Sequence, residues 1–369
     1  KDPYDYPGVS VKLKGGNREY FEGQFRVAKT FLKNKLGVKL TGSYLTAKDW
    51  QSDYVYGYYP KNQSNPQNPS DFYDKNKYQD YNNYISDPAN AGAKLPGMMQ
   101  YEWPGYKESE LFDGKIDNYK ISGALYYRFS KDIRAKYVYR YSTGTSVYMG
   151  NNRAPLEGFS QQLHMMELNA KGFTLRAYRS DDNTNNTYTM VGMGVWLGMK
   201  SLPMVNRAFI DGYINTIRNL SNGFTDQYQA DWANQAINNG QLATSGAWLE
   251  PGSAEFNAAF DEIKETNPPL GAHFSSKTTM YHVDGMYEYT SDKIDWNIGA
   301  SYRNTSPVSN GTVFSDTLQK DGSYRQIDVS EYGGFVQGIG KFSDDMVKLY
   351  ASVRLDKSKN YDWQFSPRI

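Results

Sequence analysis

The feature that most constrains this chain is a strict alternation of side-chain types in about a dozen segments. In residues 133–141 the odd positions are apolar or aromatic, whereas Arg134, Lys136 and Arg140 occupy even positions. A β-strand places successive side chains on opposite faces, so this segment predicts a strand with one apolar and one charged face. Alternately short and long connections between such strands are typical of a transmembrane β-barrel. A soluble antiparallel sheet with one wet face is the alternative that the alternation leaves open.

The predicted connections fall into two classes. A medium loop is expected at 145–158, and two insertions, 50–116 and 182–274, are much longer. Connections of that length are uncommon in compact domains unless they carry function. Short turns are predicted near 32–35, 130–132, 171–172, 291–293 and 343–345, with longer connections between them without exception.

The second insertion carries helical signals. Apolar residues from Phe209 to Leu220 recur at helical spacing. Ser253 is expected to cap a helix that ends before Pro268. We favour packing among the loops over a partner-binding groove for residues 205–264, because neighbouring loops can bury these apolar stripes.

Composition excludes several classes of protein. The 369 residues have a net charge of +1, which gives no global field for nucleic acid. The chain contains no cysteine, so disulfides and cysteine-based metal sites are excluded. Mean hydropathy is −0.74 and no run of about 18 apolar residues occurs, which excludes helical membrane spans. The 33 tyrosines and 7 tryptophans suit membrane–water interfaces.

The sequence does not predict an enzyme or a bound cofactor. The histidines are His164, His273 and His282, and none lies in an H-E-x-x-H arrangement. No G-x-S-x-G motif occurs. The glycines of residues 192–198 miss the G-x-G-x-x-G spacing of a nucleotide site.

Charged residues of the alternating segments are expected to line a lumen, where in the complete protein the cations would pair with a plug or guide an anionic substrate. Pairing is the default expectation, because unpaired cations in a confined channel are costly. His282, Asp284 and Glu288 share one strand face, and we favour a polar lining over a metal site there. Asp181 and Asp182 lack the EF-hand spacing, although calcium on a loop stays open. The candidate lumen-facing residues are Arg134, Lys136, Arg140, Arg176, His282, Asp284, Glu288, Arg303 and Arg354.

The first insertion contains four closely spaced tyrosines, Tyr54, Tyr56, Tyr58 and Tyr59. Rigid aromatic side chains supply contact area at low entropic cost, so these residues are candidates for binding a substrate or a lid protein. An interfacial girdle or the packing of loop against loop is the equally weighted alternative.

Short motifs resemble a known family. Residues 1–8, Lys-Asp-Pro-Tyr-Asp-Tyr-Pro-Gly, resemble the segment where the plug of a Bacteroidota TonB-dependent outer-membrane receptor passes into its barrel. Similar members share the motifs at 152–156, at 176–178 and at 365–369. The resemblance implies an N-terminal plug, a barrel of about 22 strands, and energy from the TonB complex of the inner membrane.

The chain differs from that family in three respects: it has no plug and no TonB-contacting segment, it has about twelve strands, and it ends without a terminal aromatic strand. We therefore expect residues 1–369 to form part of one barrel, with the plug and the C-terminal strands lying elsewhere. The expected function is TonB-dependent uptake across the outer membrane of an oligosaccharide, peptide or metal chelate. Expected partners are the bilayer and the TonB complex through the missing N-terminal segment, with a surface lipoprotein lid as a further candidate. Nucleic acid is not expected as a partner. A passive porin, a structural barrel and a soluble glycan-binding β-protein remain alternatives.

Overall fold

The computed structural model describes residues 2–57, 104–150, 153–220, 222, 230–342 and 346–369. Twelve strands form one antiparallel sheet in which chain order is also spatial order, so the expected all-β antiparallel class and strand number are confirmed. The strands are β1 Gly8–Gly15, β2 Phe21–Phe31, β3 Leu36–Lys48, β6 Lys115–Arg128, β7 Arg134–Met149, β8 Arg153–Ala170, β9 Phe173–Asn183, β10 Lys277–Tyr289, β11 Ile294–Val308, β12 Val329–Phe342, β13 Val347–Ser358 and β14 Tyr361–Arg368. Two short strands, β4 Val55–Tyr56 and β5 Tyr106–Lys107, pair separately.

The sheet has a polar face and an apolar face, which its register defines. One row of paired residues across β1, β2, β3, β6 and β7 consists of Ser10, Arg26, Thr41, Ser122 and Arg140. The adjacent row on the opposite face consists of Val11, Phe25, Gly42, Ile121 and Tyr141. Because every strand keeps this alternation, each face is continuous from strand to strand.

The apolar face is exposed. Val11 is 68% and Ile298 48% accessible, so these side chains do not pack into a core of the described chain. On β11 the apolar stretch from Ile294 to Tyr302 spans about 27 Å along the strand. On the apolar face of β9, polar side chains begin at Arg179. The residue in the same cross-strand row on β2 is Val27, which is still apolar. The apolar band therefore crosses the strands obliquely, as strands tilted in a barrel wall require.

The short turns at 32–35, 130–132, 171–172 and 291–293 lie at one end of the sheet, and the turn predicted at 343–345 lies outside the described residues. The connections at the other end are not all long. β1 and β2 are joined by residues 16–20, β7 and β8 by residues 150–152, and β13 and β14 by residues 359–360. The expectation that the second end carries only longer connections is wrong. The loop predicted at 145–158 is largely strand, because a bulge after Gly144 preserves pairing and the Thr145 amide donates to Asp117.

Within the described residues, four helices accompany the sheet: α1 Glu108–Leu111, α2 Met190–Leu220, α3 Ala230–Ala243 and α4 Ala254–Glu265. The predicted cap of α4 is confirmed, since the Ser253 hydroxyl accepts from the Phe256 amide at 3.1 Å. α2 begins well before the predicted periodic segment. Its early glycines permit close packing, because a Cβ at Gly194 would lie 2.6 Å from that of Tyr56. No helix within the described ranges has the length and apolarity needed to span a membrane.

Candidate functional site

The register places all nine candidate lumen residues on the polar face. One row across β7 to β10 reads Lys136, Glu167, Arg176 and Asp284, which alternates in charge from strand to strand. The Lys136 ammonium lies 3.0 Å from Glu167, and the Arg176 guanidinium lies 3.0 Å from Asp284. Cross-strand partners of opposite charge stabilise such a face locally.

Two further predicted cations are also paired. Arg303 on β11 forms an ion pair with Glu331 on β12. Arg354 contacts Asp356 on its own strand at 2.6 Å. The expectation of pairing therefore holds for these two residues, although an exposed pair of this kind contributes little to stability.

Arg134 and Arg140 behave differently from the other predicted cations. Among the residues that the structure describes, neither has a carboxylate within ion-pair distance. Arg134 lies next to the short turns, whereas Arg140 lines a groove of about 1120 Å³ on the polar face. Strands β1 to β7 carry few acids on this face, and the expectation that a plug in the complete protein would pair with these two residues stays a prediction.

His282 is held by its neighbours on the polar face. Its ring stacks on Tyr178 with 4.8 Å between centroids, and its Nε2 lies 3.0 Å from Asp284. Glu288 lies four residues after Asp284 on β10, near the short turns. No group of three His, Asp or Glu side chains with metal-binding geometry occurs in the described part of the chain.

The other proposed metal ligands lie on opposite sides of the sheet. Asp181 and Asp182 are successive residues of β9, so their side chains point to different faces. Asp181 accepts from Arg179 at 2.8 Å and from Thr279 at 2.8 Å. These contacts, one of them with the Arg179 guanidinium, occupy the Asp181 carboxylate without a metal ion.

The loops at the long-connection end form a packed core, here called the loop core. It joins residues of the first insertion to residues of the second. Its fully buried side chains include Tyr188, Met190, Met193, Leu197 and Ile263. A second core between α2 and α3 buries Phe209, Tyr213 and Ile217. The helical stripes are thus covered by neighbouring loop elements, as we favoured from the sequence.

The four loop tyrosines have different positions. Tyr56 is buried in the loop core, and its ring therefore supports loop packing rather than ligand contact. Burial together with the nearby Glu108 carboxylate raises the pKa of Tyr56 to about 12. Tyr54 is exposed and lies edge-on to Tyr56 at 4.8 Å, so substrate binding by Tyr54 stays a prediction. Tyr58 and Tyr59 lie outside the described residues.

An ion pair fastens the loop core to the sheet. Glu108 is fully buried, and one of its oxygens lies 3.0 Å from the Arg153 guanidinium at the start of β8. Arg153 also donates to the Trp50 carbonyl at 2.9 Å. The second Glu108 oxygen accepts from Ser52 at 2.7 Å and from Tyr56 at 3.3 Å. This contact was not predicted from the sequence. The only sequence signal near it was the motif at 152–156, which contains Arg153.

Tyr188 is a second anchor between the insertions. Its hydroxyl donates to the Leu111 carbonyl at 2.7 Å, and its ring packs edge-on to Phe260. Burial raises the pKa of Tyr188 far above its ordinary value, and the nearby Glu157 carboxylate acts in the same direction. This hydroxyl is therefore a fixed hydrogen-bond donor at physiological pH.

Residues 2–7 lie on the polar face beside the short turns. The Tyr4 hydroxyl donates to the Lys35 carbonyl at 2.8 Å, and the Arg128 guanidinium lies 3.6 Å from the centre of the Tyr4 ring. Gly37 makes room for this segment, since a Cβ there would lie 2.8 Å from Pro3. The chain thus reaches β1 along the polar face.

Asp316 organises the connection between β11 and β12. Its carboxylate accepts from the Ser309 hydroxyl at 2.5 Å, from the Asn310 amide at 2.9 Å and from the Gly311 amide at 3.1 Å. Although burial opposes ionisation, these hydrogen bonds lower the pKa of Asp316 to about 2. The adjacent Thr312 donates to the Ser275 carbonyl and so joins two loops.

We expect the loop at Asp316 to loosen as pH falls from about 4 to 2. A carboxylate with a depressed pKa contributes stability that is present above its unfolded pKa of 3.8 and lost as pH falls through the folded value of about 2. The protection factors of the amides of residues 309–311, which are corrected for the intrinsic pH dependence of exchange, should fall over that range in the wild type. In Asp316→Asn exchange should be fast already at neutral pH, and equal protection in both proteins would contradict this role.

No family model matches this chain. No curated protein matches it either. Among solved structures, the siderophore receptor PirA from Pseudomonas aeruginosa is 9% identical, with 98% of this chain and 40% of that chain covered at a TM-score of 0.45. The FrpB iron transporter from Neisseria meningitidis is 9% identical, with 100% and 44% covered at 0.47.

The copper transporter OprC is 10% identical, with 95% of this chain and 36% of that chain covered at a TM-score of 0.44. The chain thus spans less than half the length of these three proteins. These TM-scores lie below 0.5, and the fold is defined by the strand order and register of the chain itself.

Proposed function

We propose that this chain is part of the barrel wall of an outer-membrane transporter that takes up a nutrient. The observation that carries the proposal is the exposed apolar face, which is continuous over twelve strands and backed by a polar face. An exposed apolar surface of that extent requires lipid or a partner to cover it. In a barrel wall the apolar face contacts lipid and the polar face lines the lumen.

In this proposal the short turns face the periplasm and the loop core faces the exterior, where residues 50–116 and 182–274 contact the substrate first. Residues 2–7 enter along the polar face from the periplasmic end, which agrees with the resemblance of this segment to a plug–barrel junction. Energy would come from the TonB complex through a segment preceding this chain. The process is binding and gated transport, with no covalent step.

The membrane assignment predicts the behaviour of the protein in fractionated cells. We expect the protein to sediment with the outer membrane and to resist extraction by alkaline carbonate, because its apolar face is in contact with lipid. The measurement is immunodetection of the protein in separated inner-membrane, outer-membrane and soluble fractions. Recovery without detergent in the soluble fraction would overturn the assignment and favour a soluble β-protein.

The transport mode is tested by uptake. Cells that lack this protein and cells with an inactive TonB complex should lose growth on the same nutrient, tested among oligosaccharides, peptides and metal chelates. Uptake that persists without the TonB complex would instead identify a passive pore. A surface lipoprotein lid stays a prediction. The measurement that tests it is co-purification of such a lipoprotein with this protein.

A further inference from the structure

We infer that residues 2–7 are a mechanical anchor, which keeps a pull on the preceding part of the polypeptide from reaching β1. The inference rests on the proposed function, because there the TonB complex acts through a segment that precedes this chain. These six residues are here called the anchor segment. Tyr4 is its central positioning residue.

The anchor segment crosses the strands of the sheet instead of extending β1. It contacts Arg26 on β2, Gly37 on β3 and Arg128 on β6. In the sheet, β6 lies three strand spacings from β1, or about 14 Å between backbones. A force on the chain before Tyr4 therefore has a path to the interior of the sheet that does not pass through β1.

Tyr4 makes the contacts that reach farthest across the sheet. Its hydroxyl donates to the Lys35 carbonyl at 2.8 Å and lies 3.1 Å from the Tyr126 carbonyl, a second acceptor. The Arg128 guanidinium stacks over the Tyr4 ring at 3.6 Å from its centre. The Tyr126 ring lies edge-on to the same ring at 6.3 Å. Hydrogen bonds, a cation–π contact and an aromatic contact thus fix one side chain together.

The anchor segment is also closed on itself. The Asp2 carboxylate accepts from the Tyr4 amide at 2.8 Å, and the Asp2 carbonyl accepts from the Tyr6 amide at 3.0 Å. Side chains of this type commonly stabilise turns in this way. Arg26 donates to the Tyr6 carbonyl at 2.5 Å. A pull at residue 2 therefore acts on these hydrogen bonds and on the Tyr4 contacts before it acts on the first residue pair of β1.

Gly37 provides the space in which the anchor segment lies. A Cβ at this position would lie 2.8 Å from Pro3 and 3.2 Å from the Tyr4 ring. Pro3 is buried although it precedes the first strand. Glycine weakens a strand interior and often marks a place where another part of the backbone approaches closely. The glycine in β3 is thus explained by the anchor segment and not by the strand itself.

The position of β1 gives the anchor its consequence. β1 pairs with β2 through eight residue pairs, and the pair of Gly8 with Ala28 lies nearest to the anchor segment. Without an anchor, a pull would act first on this end of the strand, where pairing is easiest to open. Opening β1 would leave an unpaired edge in the barrel wall, which a bilayer does not tolerate. The anchor therefore allows the preceding segment to move while the wall stays closed.

The test is a force measurement on the protein as its source cell makes it, reconstituted in a supported bilayer and pulled by its N-terminus with an atomic force microscope. In the wild type we expect a separate force peak before β1 is released. Full extension of the six residues adds about 20 Å, which identifies that peak by its length. In Tyr4→Ala this peak should be lost, and β1 should open at lower force.

A second variant and two controls test the location of the anchor. Gly37→Ala leaves the anchor segment unchanged but places a methyl group against Pro3, so it should also remove the force peak. Gly123→Ala is its matched control, because a Cβ there meets no atom of the described residues within 4 Å. Asp5→Ala replaces an exposed residue of the anchor segment and is the control for Tyr4→Ala. Both controls should keep the wild-type peak.

Hydrogen exchange gives a second readout without applied force. The amides of residues 4 and 6 donate within the anchor segment. In Tyr4→Ala and in Gly37→Ala their exchange should accelerate by about ten- to a hundredfold, because hydrogen bonds and a cation–π contact are lost. Unchanged exchange in β10 and β11 establishes that the sheet is intact in each variant.

The outcomes separate this inference from the proposed function. A wild-type force peak in Tyr4→Ala and Gly37→Ala, or its equal loss in all four variants, overturns the anchor even if uptake requires the TonB complex. Loss of the peak in those two variants alone supports the anchor even if uptake persists without the TonB complex, in which case only the source of the pull is wrong.

Discussion

Replacing Arg153 by alanine should detach the loop core from the sheet. The substitution leaves the Glu108 carboxylate fully buried without its cation, and it also removes the donor to the Trp50 carbonyl. Removing one partner of a buried ion pair typically costs about 3–5 kcal/mol. Hydrogen exchange of residues 49–57 and 104–114 should accelerate by about two to four orders of magnitude, while exchange in β10 and β11 stays unchanged.

Two control variants test whether loss of the buried ion pair between Glu108 and Arg153 causes the faster exchange. Lys200→Ala breaks the exposed pair with Glu262 in the same loop region and should change stability by at most about 1 kcal/mol. Combining Arg153→Ala with Glu108→Gln removes the buried charge and should restore part of the protection. Wild-type exchange in Arg153→Ala would show that the loop core is held by its apolar contacts alone.

The second large effect is expected on the stability of the protein in lipid when a charged residue is placed on the apolar face. Ile298 lies in a row between Tyr287 and Val336 on the neighbouring strands, and its side chain is 48% accessible. A lysine on the lipid face near the middle of a bilayer costs about 2–4 kcal/mol. Ile298→Lys should therefore lower the ratio of folded to unfolded protein in lipid vesicles by about 30- to 900-fold.

Asn297→Lys is the matched control, because it places the same charge one residue away on the polar face, beside Gln337. We expect that variant to fold close to wild type. The measurement is urea titration of each protein in vesicles, followed by the loss of tryptophan fluorescence. Comparable destabilisation by both lysines would falsify the assignment of the apolar face to lipid.

The strands and their faces could be predicted from the sequence because the alternation is a local property. A residue's face depends on its parity within the strand, so Arg176 and Arg303 were assigned to the polar face without knowledge of their neighbours. The helix after Ser253 was equally predictable, since its cap and its apolar spacing lie within a few residues.

The extent of α2 was not predictable from spacing alone. Its first turns contain Gly192 and Gly194, which lower helix propensity and made the segment resemble a loop. The same absence of a side chain at Gly194 allows the helix to contact Tyr56 closely. Tertiary packing therefore decided the helix start against local propensity.

The sequence by itself determined which residues are apolar or charged on each strand, and hence that the sheet has two unlike faces. Only the tertiary structure decided which charges meet, because ion pairs across the sheet depend on the register between separate strands. Register joins Lys136 to Glu167 but leaves Arg140 beside serine and leucine, and chain folding brings Arg153 at the start of β8 to Glu108 in the first insertion. Those pairings depend on positions in space, which a local pattern of residue types does not encode.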